Sequence, residues 1–142
     1  MKKWLCRLAL LAATVSAFFG NFERDWHGDA PTVWNLLLTA AYLAAWGWFL
    51  WEKRSRKGLW FACIWWSLSL FSTVSWLGLQ YLHFPEIFIV GAWTGAALCL
   101  SQLYGLNFLL RLSYGGLHLV YLAVCCGMLG LSIRKRTKLP VY

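Results

Sequence analysis

Apolar residues run along this chain in long blocks separated by short polar stretches. Almost every position from Trp4 to Phe19 is apolar, and a polar stretch follows at residues 20–31. A second apolar block runs from Thr32 to Trp51, a third from 58 to 82, and a nearly uniform one from Ile87 to Ile133. A helix that crosses hydrocarbon needs roughly 20 predominantly apolar residues. The blocks therefore predict helices over about 4–20, 32–51, 58–82, 87–104 and 107–132. The expected fold class is all-α: one polytopic transmembrane bundle over residues 1–142, with about five hydrophobic helices. Pro31 and Thr32 suit a helix start, and Pro85 marks the turn at 83–86. The break inside the last block is expected near Tyr104-Gly105-Leu106, or alternatively at Ser113–Gly116.

Composition excludes a soluble fold. The chain is 61% hydrophobic and 13% charged, whereas a soluble domain carries roughly 25% charged residues. A net charge of +8 would point a soluble protein toward nucleic acid. Here the cations lie in blocks beside apolar segments: Lys2/Lys3/Arg7, residues 53–57 and residues 134–138. That pattern implies a lipid bilayer as partner, no nucleic acid, and a multi-pass protein of the cell membrane. The N-terminus and residues 52–57 are expected in the cytoplasm, with residues 20–31 and 83–86 outside. Charge and length then conflict. Three segments between residues 57 and 134 would put the basic tail outside, against the positive-inside rule. Four spans plus a re-entrant segment within 87–116 reconcile the two, since irregular backbone is tolerated at membrane depth where protein buries it. The first block also has the outline of a signal peptide, with Val15-Ser16-Ala17 as a cleavage site; a retained span, with Arg7 snorkelling, is favoured.

Polar residues inside apolar segments are costly, and they carry the functional reading. Asn35, Thr39, Tyr42 and Trp46 share one face of the second segment. Ser69, Ser72, Trp76, Gln80 and His83 do so in the third, and Asn107, Arg111, Tyr114, His118 and Tyr121 in the last. Joined in one interior, these stripes form a polar-aromatic pocket. Arg111 and His118 supply positive charge, Tyr114, Tyr121 and Trp76 stack, and Asn107 and Gln80 hydrogen-bond. Such a site suits a small anionic or aromatic solute. The structural alternative is that the stripes join helices to one another. Small-residue faces at Ala9/Ala13/Ala17 and Gly91/Gly95 let helices approach closely, within the chain, against another copy or against another membrane protein.

Other chemistry is poorly represented. The alternating Glu23, Asp25, His27 and Asp29, with His83 and Glu86, lack a recognised ligand spacing, so no metal is expected. Cys6, Cys63, Cys99, Cys125 and Cys126 form no C-x-x-C pair and read as structural thiols. No catalytic arrangement is visible and no cofactor is implied. Of the eleven tryptophans, those at block ends suit the membrane interface, while Trp65, Trp66, Trp76 and Trp93 lie deeper. Gln102-Leu103-Tyr104-Gly105-Leu106-Asn107 is similar to a stretch of the tryptophan-rich sensory proteins, which bind porphyrins and sterol-like ligands. No tryptophan follows the asparagine, and that family's W-Y and proline-rich signatures are absent. The alanine face resembles that of substrate-binding subunits of modular vitamin importers. Neither resemblance assigns a family. The leading expectation is a membrane protein that binds or transports a small solute. The alternative is an accessory, assembly or immunity-type subunit that packs on a larger membrane partner. An enzyme ranks third.

Overall fold

A computed structural model of the chain describes residues 2–52, 56–81 and 95–138. Helices α1 (Lys2–His27), α2 (Val33–Trp51) and α3 (Arg56–Tyr81) come first. A π-helical turn (Ala96–Leu100), a 3₁₀ stretch (Ser101–Leu106) and the short α4 (Asn107–Leu110) follow, and α5 (Tyr114–Thr137) ends the bundle. Residues 96–110 are called the wedge below. Among the described residues every regular element is helical. Among the described residues four helices are long and apolar enough to cross a bilayer, and the apolar stretch Leu98–Leu110 is shorter. Within the last apolar block the described residues show a shorter apolar segment in place of a long helix, and residues 82–94, where the expected helix 87–104 begins, lie outside them. The outer faces carry Leu8, Leu11, Val15 and Phe19 on α1, and Ile64, Leu68 and Phe71 on α3, all well exposed. Water would penalise such faces and lipid does not. The architecture fits a small multi-pass membrane protein.

Element ends differ from the sequence reading in instructive ways. The polar stretch expected as a loop at 20–31 is helical as far as His27. Nothing before Gly28 breaks the helix, and Asn21 turns inward, fully buried. Gly28 then adopts φ 69°, its N–H donates to the Asp25 carbonyl, and the Asp29 N–H donates to that of Arg24. This is a Schellman stop, in which a left-handed residue satisfies the last carbonyls. Thr32 caps α2 as expected, with its N–H donating to Asn35 Oδ1 at 2.8 Å. The last helix, expected from 107, starts at Tyr114. Arg111 takes a left-handed φ of 47° and Ser113 caps α5, so the break lies beside the second of the two positions considered. Asn107, Arg111, Tyr114 and His118 therefore do not share one helix face: Asn107 belongs to α4, and its Oδ1 accepts from the Leu112 N–H in the turn.

The long helices pair as two antiparallel hairpins. Asn21 of α1 meets Asn35 and Thr39 of α2. At one end of the second pair the Arg136 guanidinium of α5 lies over the Trp60 ring of α3, 3.8 Å from its centroid. Farther along, Trp76 of α3 stacks on His118 of α5. Between the hairpins lie two fillings. Toward the Trp51/Trp60 end, aromatic rings of α2 and α3 interlock. Toward the other end, the wedge is inserted against α1, α2 and α3. Cys6, Leu10, Ala17 and Asn21 of α1 are buried, so the first segment is a structural member of the bundle.

The cation–π contacts also bear on the charge conflict. Lys135 lies 5.5 Å over the Trp51 ring and Arg136 lies over Trp60. The C-terminal basic residues are therefore beside the end of α2 and the start of α3, where Lys57 lies. Among the described residues two long helices, α3 and α5, separate the two blocks, an even number. Reporter fusions after residues 29, 52 and 138 should give the last two one compartment and the first the other. Agreement of the 138 fusion with the 29 fusion would overturn this arrangement.

Candidate functional site

The interior contains two kinds of buried side chain: a hydrogen-bonded network around the wedge and a set of stacked rings. The network answers a local problem. A change from π to 3₁₀ winding leaves backbone groups of residues 98–105 without their helical partners, and a buried orphan costs about 1–3 kcal/mol. The Gln102 carbonyl accepts from Thr39 Oγ1 at 2.7 Å and from Asn21 Nδ2 at 3.2 Å. The Gly105 N–H donates to the same Thr39 oxygen at 3.1 Å, and Asn21 Nδ2 also donates to it, at 3.0 Å. Asn35 Nδ2 donates to the Gly20 carbonyl at 2.8 Å and to Asn21 Oδ1 at 2.9 Å. Gln102 Nε2 turns back to the Leu98 carbonyl at 2.6 Å, and the Tyr104 hydroxyl donates to the Asp29 carbonyl at the α1–α2 turn. Asn21, Asn35, Thr39 and Gln102 are all essentially inaccessible. Their N–H and O–H donors are directed at backbone and at each other.

Gly105 sets how close the wedge comes. A Cβ there would fall 2.0 Å from the Asn35 carbonyl oxygen and 2.6 Å from Thr39 Oγ1. Only glycine lets the wedge lie against the α2 backbone. Gly95 is similar on the other flank, where a Cβ would fall 1.8 Å from Ser72 Oγ of α3.

The ring layer joins the hairpins. Trp46 stacks on Phe61 at 6.2 Å and on Trp65 at 6.2 Å, and meets Trp66 edge-on at 5.3 Å. The Trp65 indole N–H donates to the Tyr42 hydroxyl at 2.9 Å. Tyr42, Trp46 and Trp66 are buried. Each such aromatic pair contributes about 0.5–1.5 kcal/mol beyond its burial. The hydroxyls of Ser69, Ser72 and Thr73 bond back to carbonyls four residues earlier, so they are satisfied within α3.

The predicted site residues divide between these surroundings. His118, 2% exposed, lies between the Trp76 ring at 5.6 Å and the Tyr121 ring at 5.3 Å. These three come together. Arg111 and Gln80 are exposed, so neither shares the enclosure of His118. Asn107 braces the turn that carries Arg111. Tyr114 opens α5 one turn before His118. Among the expected packing residues Ala17 is fully buried, Ala13 lies against the core and Ala9 is half-buried. Gly95 serves contact within the chain, and Gly91 lies outside the described residues. His83, Glu86 and Trp93 lie outside them too. Sequence reasoning missed Asn21 and gave Gln102 no site role. Asn21 stands four residues past Ala17, and Gln102 three before Gly105; a polar residue in register with a small-residue face was the available signal. Among the described residues no group of three or more His, Cys, Asp or Glu side chains is placed to hold a metal.

Comparison with protein-family models, curated proteins and solved structures finds no match for this chain.

Thr39 is the test of the network. Thr39→Val removes the hydroxyl that serves both Gln102 and Gly105, and should lower stability by about 1–2 kcal/mol, read as the midpoint of unfolding in mixed micelles. Thr39→Ser should restore most of the loss. Ser72→Ala, which removes only a bond to the Leu68 carbonyl of its own helix, should change stability by less than about 0.5 kcal/mol.

Proposed function

We propose that the chain is a small multi-pass membrane protein that binds a small aromatic or anionic solute. The site lies toward the end of the bundle away from the basic blocks, between α3 and α5. One observation supports this above the others: an imidazole held at membrane depth between an indole and a phenol. An ionisable side chain inside a membrane segment is a functional candidate by default, because it is costly to keep there. His118 offers a proton donor or acceptor, and Trp76 and Tyr121 offer ring faces. The Arg111 guanidinium, before the start of α5, supplies a positive charge at the approach to the site. The positive-inside rule puts the basic end in the cytoplasm, so the site is reached from the opposite side.

A second reading, an accessory subunit acting by helix packing, has its own support. Ala123, Cys126, Gly127 and Gly130 are exposed on α5, and a Cβ at Gly127 or Gly130 would meet nothing within 4 Å. Small residues on a lipid-facing helix favour close approach of another helix.

Titration of the purified chain with benzoate and with indole-3-acetate, followed by tryptophan emission, separates the two. Solute binding predicts a saturable response that His118→Phe, which keeps the ring, weakens about tenfold, and that Arg111→Gln also weakens. The packing reading predicts no saturable response. It predicts instead that Gly127→Leu with Gly130→Leu abolishes recovery of a membrane partner in mild detergent, while His118→Phe leaves it intact.

A further inference from the structure

The cations at the Trp51/Trp60 end are more organised than membrane orientation requires. Eleven of the thirteen Lys and Arg residues belong to its three sequence blocks, all except Arg24 and Arg111, and Glu52 is the one carboxylate among them. Two of these cations are fixed by rings on different hairpins. Arg136 rests 3.8 Å over Trp60 of α3, and Lys135 rests 5.5 Å over Trp51 of α2. Both belong to the last turn of α5, whose Ser132 is fully buried just before it. A ring face attracts the charge without using the N–H donors, which in a guanidinium lie around its edge. Among the described residues neither cation donates a side-chain hydrogen bond. Trp51 is 82% exposed and Trp60 48% exposed, so both indoles also present apolar surface outward. Phe61, Ile64 and Ile133 continue that surface, each about half exposed.

We infer that this end of the bundle holds the headgroup of an anionic glycerophospholipid. The phosphodiester is bound by Arg136 and Lys135, with Arg134 beside them, and the acyl chains run along the apolar faces of α3 and α5. The argument is charge complementarity at a fixed depth. Indoles prefer the level of the headgroups, and the two ring contacts hold the cations at that level instead of letting them extend into water. Mobile lysines would attract anionic lipid diffusely, at a strength set by net charge alone. Ring-anchored cations give a place where one headgroup is preferred. The inference does not depend on the solute site near His118, which lies toward the opposite end.

The test is lipid retention by the full chain, read by native mass spectrometry with phosphatidylglycerol and phosphatidylcholine titrated in parallel. The wild-type chain should retain phosphatidylglycerol in preference to phosphatidylcholine. Lys135→Gln with Arg136→Gln should weaken phosphatidylglycerol binding about tenfold or more, with phosphatidylcholine retention unchanged as the control for folding. Lys57→Gln with Lys138→Gln removes the same net charge from the same end and should change binding less than about twofold. An Arg136→Lys variant that keeps the charge should fall between. Inorganic phosphate at matched concentration should fail to displace the lipid. Equal retention of the two lipids by the wild-type chain would overturn the inference. So would equal losses in the two charge-matched double variants, or displacement by free phosphate.

Discussion

The fold depends on how the backbone of residues 98–105 is satisfied away from water. A regular helix carries its hydrogen bonds with it, which is why helices cross membranes so readily. The wedge does not: it changes winding from π to 3₁₀ within a few residues and is buried while doing so. Its exposed carbonyl and amide must find partners on neighbouring helices. Thr39 supplies one to each with a single oxygen, and Asn21 and Asn35 hold that oxygen in place. The helix positions of α1 and α2 follow from this requirement. Asn21 must face Thr39, Gly20 must offer its carbonyl to Asn35, and Gly105 must lie against the α2 backbone.

The two fillings between the hairpins are complementary solutions to one packing problem. Near the basic end, indole rings of α2 and α3 fill the space between the hairpins. Near the other end the gap takes a whole segment of chain. Indole rings interlock by shape and bring one polar group each: the Trp65 N–H reaches Tyr42, while those of Trp46 and Trp66 are buried with no partner among the described residues. A backbone segment fills more volume but brings peptide groups that must be matched one by one. This accounts for the distribution of residue types along α2, where Asn35 and Thr39 precede Tyr42, Trp46 and Phe49 on the buried side. One stripe serves both fillings, polar where it meets the wedge and aromatic where it meets α3.

Much of this was legible in the sequence, and the remainder was hidden for identifiable reasons. Apolar block length located α2 and α3 to within a residue or two, because a capping Thr32 and a basic block mark their ends. The stripe on α2 was legible as an interior face. Its role was not, since a buried amide reads alike whether it meets a ligand or a carbonyl. The end of α1 was hidden because Glu23, Arg24 and Asp25 look like a loop by polarity, whereas the Schellman stop that ends the helix depends on Gly28 alone. The stripe from Asn107 to Tyr121 failed as one face because the left-handed turn at Arg111 has no glycine to announce it. Conflict between charge and span number was itself informative. It marked the stretch in which the chain departs from regular helix.

The division of the interior bears on where the bundle can rearrange. Interlocked rings have few alternative arrangements of equal density, so the half near the basic end is stiff by packing. The wedge half is held by directed bonds whose donors and acceptors can exchange partners. It also contains a buried acceptor, Gln102 Oε1, with no partner among the described residues. An unmet acceptor of that kind costs about 1–3 kcal/mol, a cost that any arrangement supplying a donor would recover. The tryptophan layer has unmet groups too, the Trp46 and Trp66 indole N–H, but its interlocked shapes make a rearrangement of the wedge the smaller change. Any rearrangement of the bundle should concentrate in the wedge and the turn that carries Arg111, with the Trp46 cluster as the fixed reference against which they move.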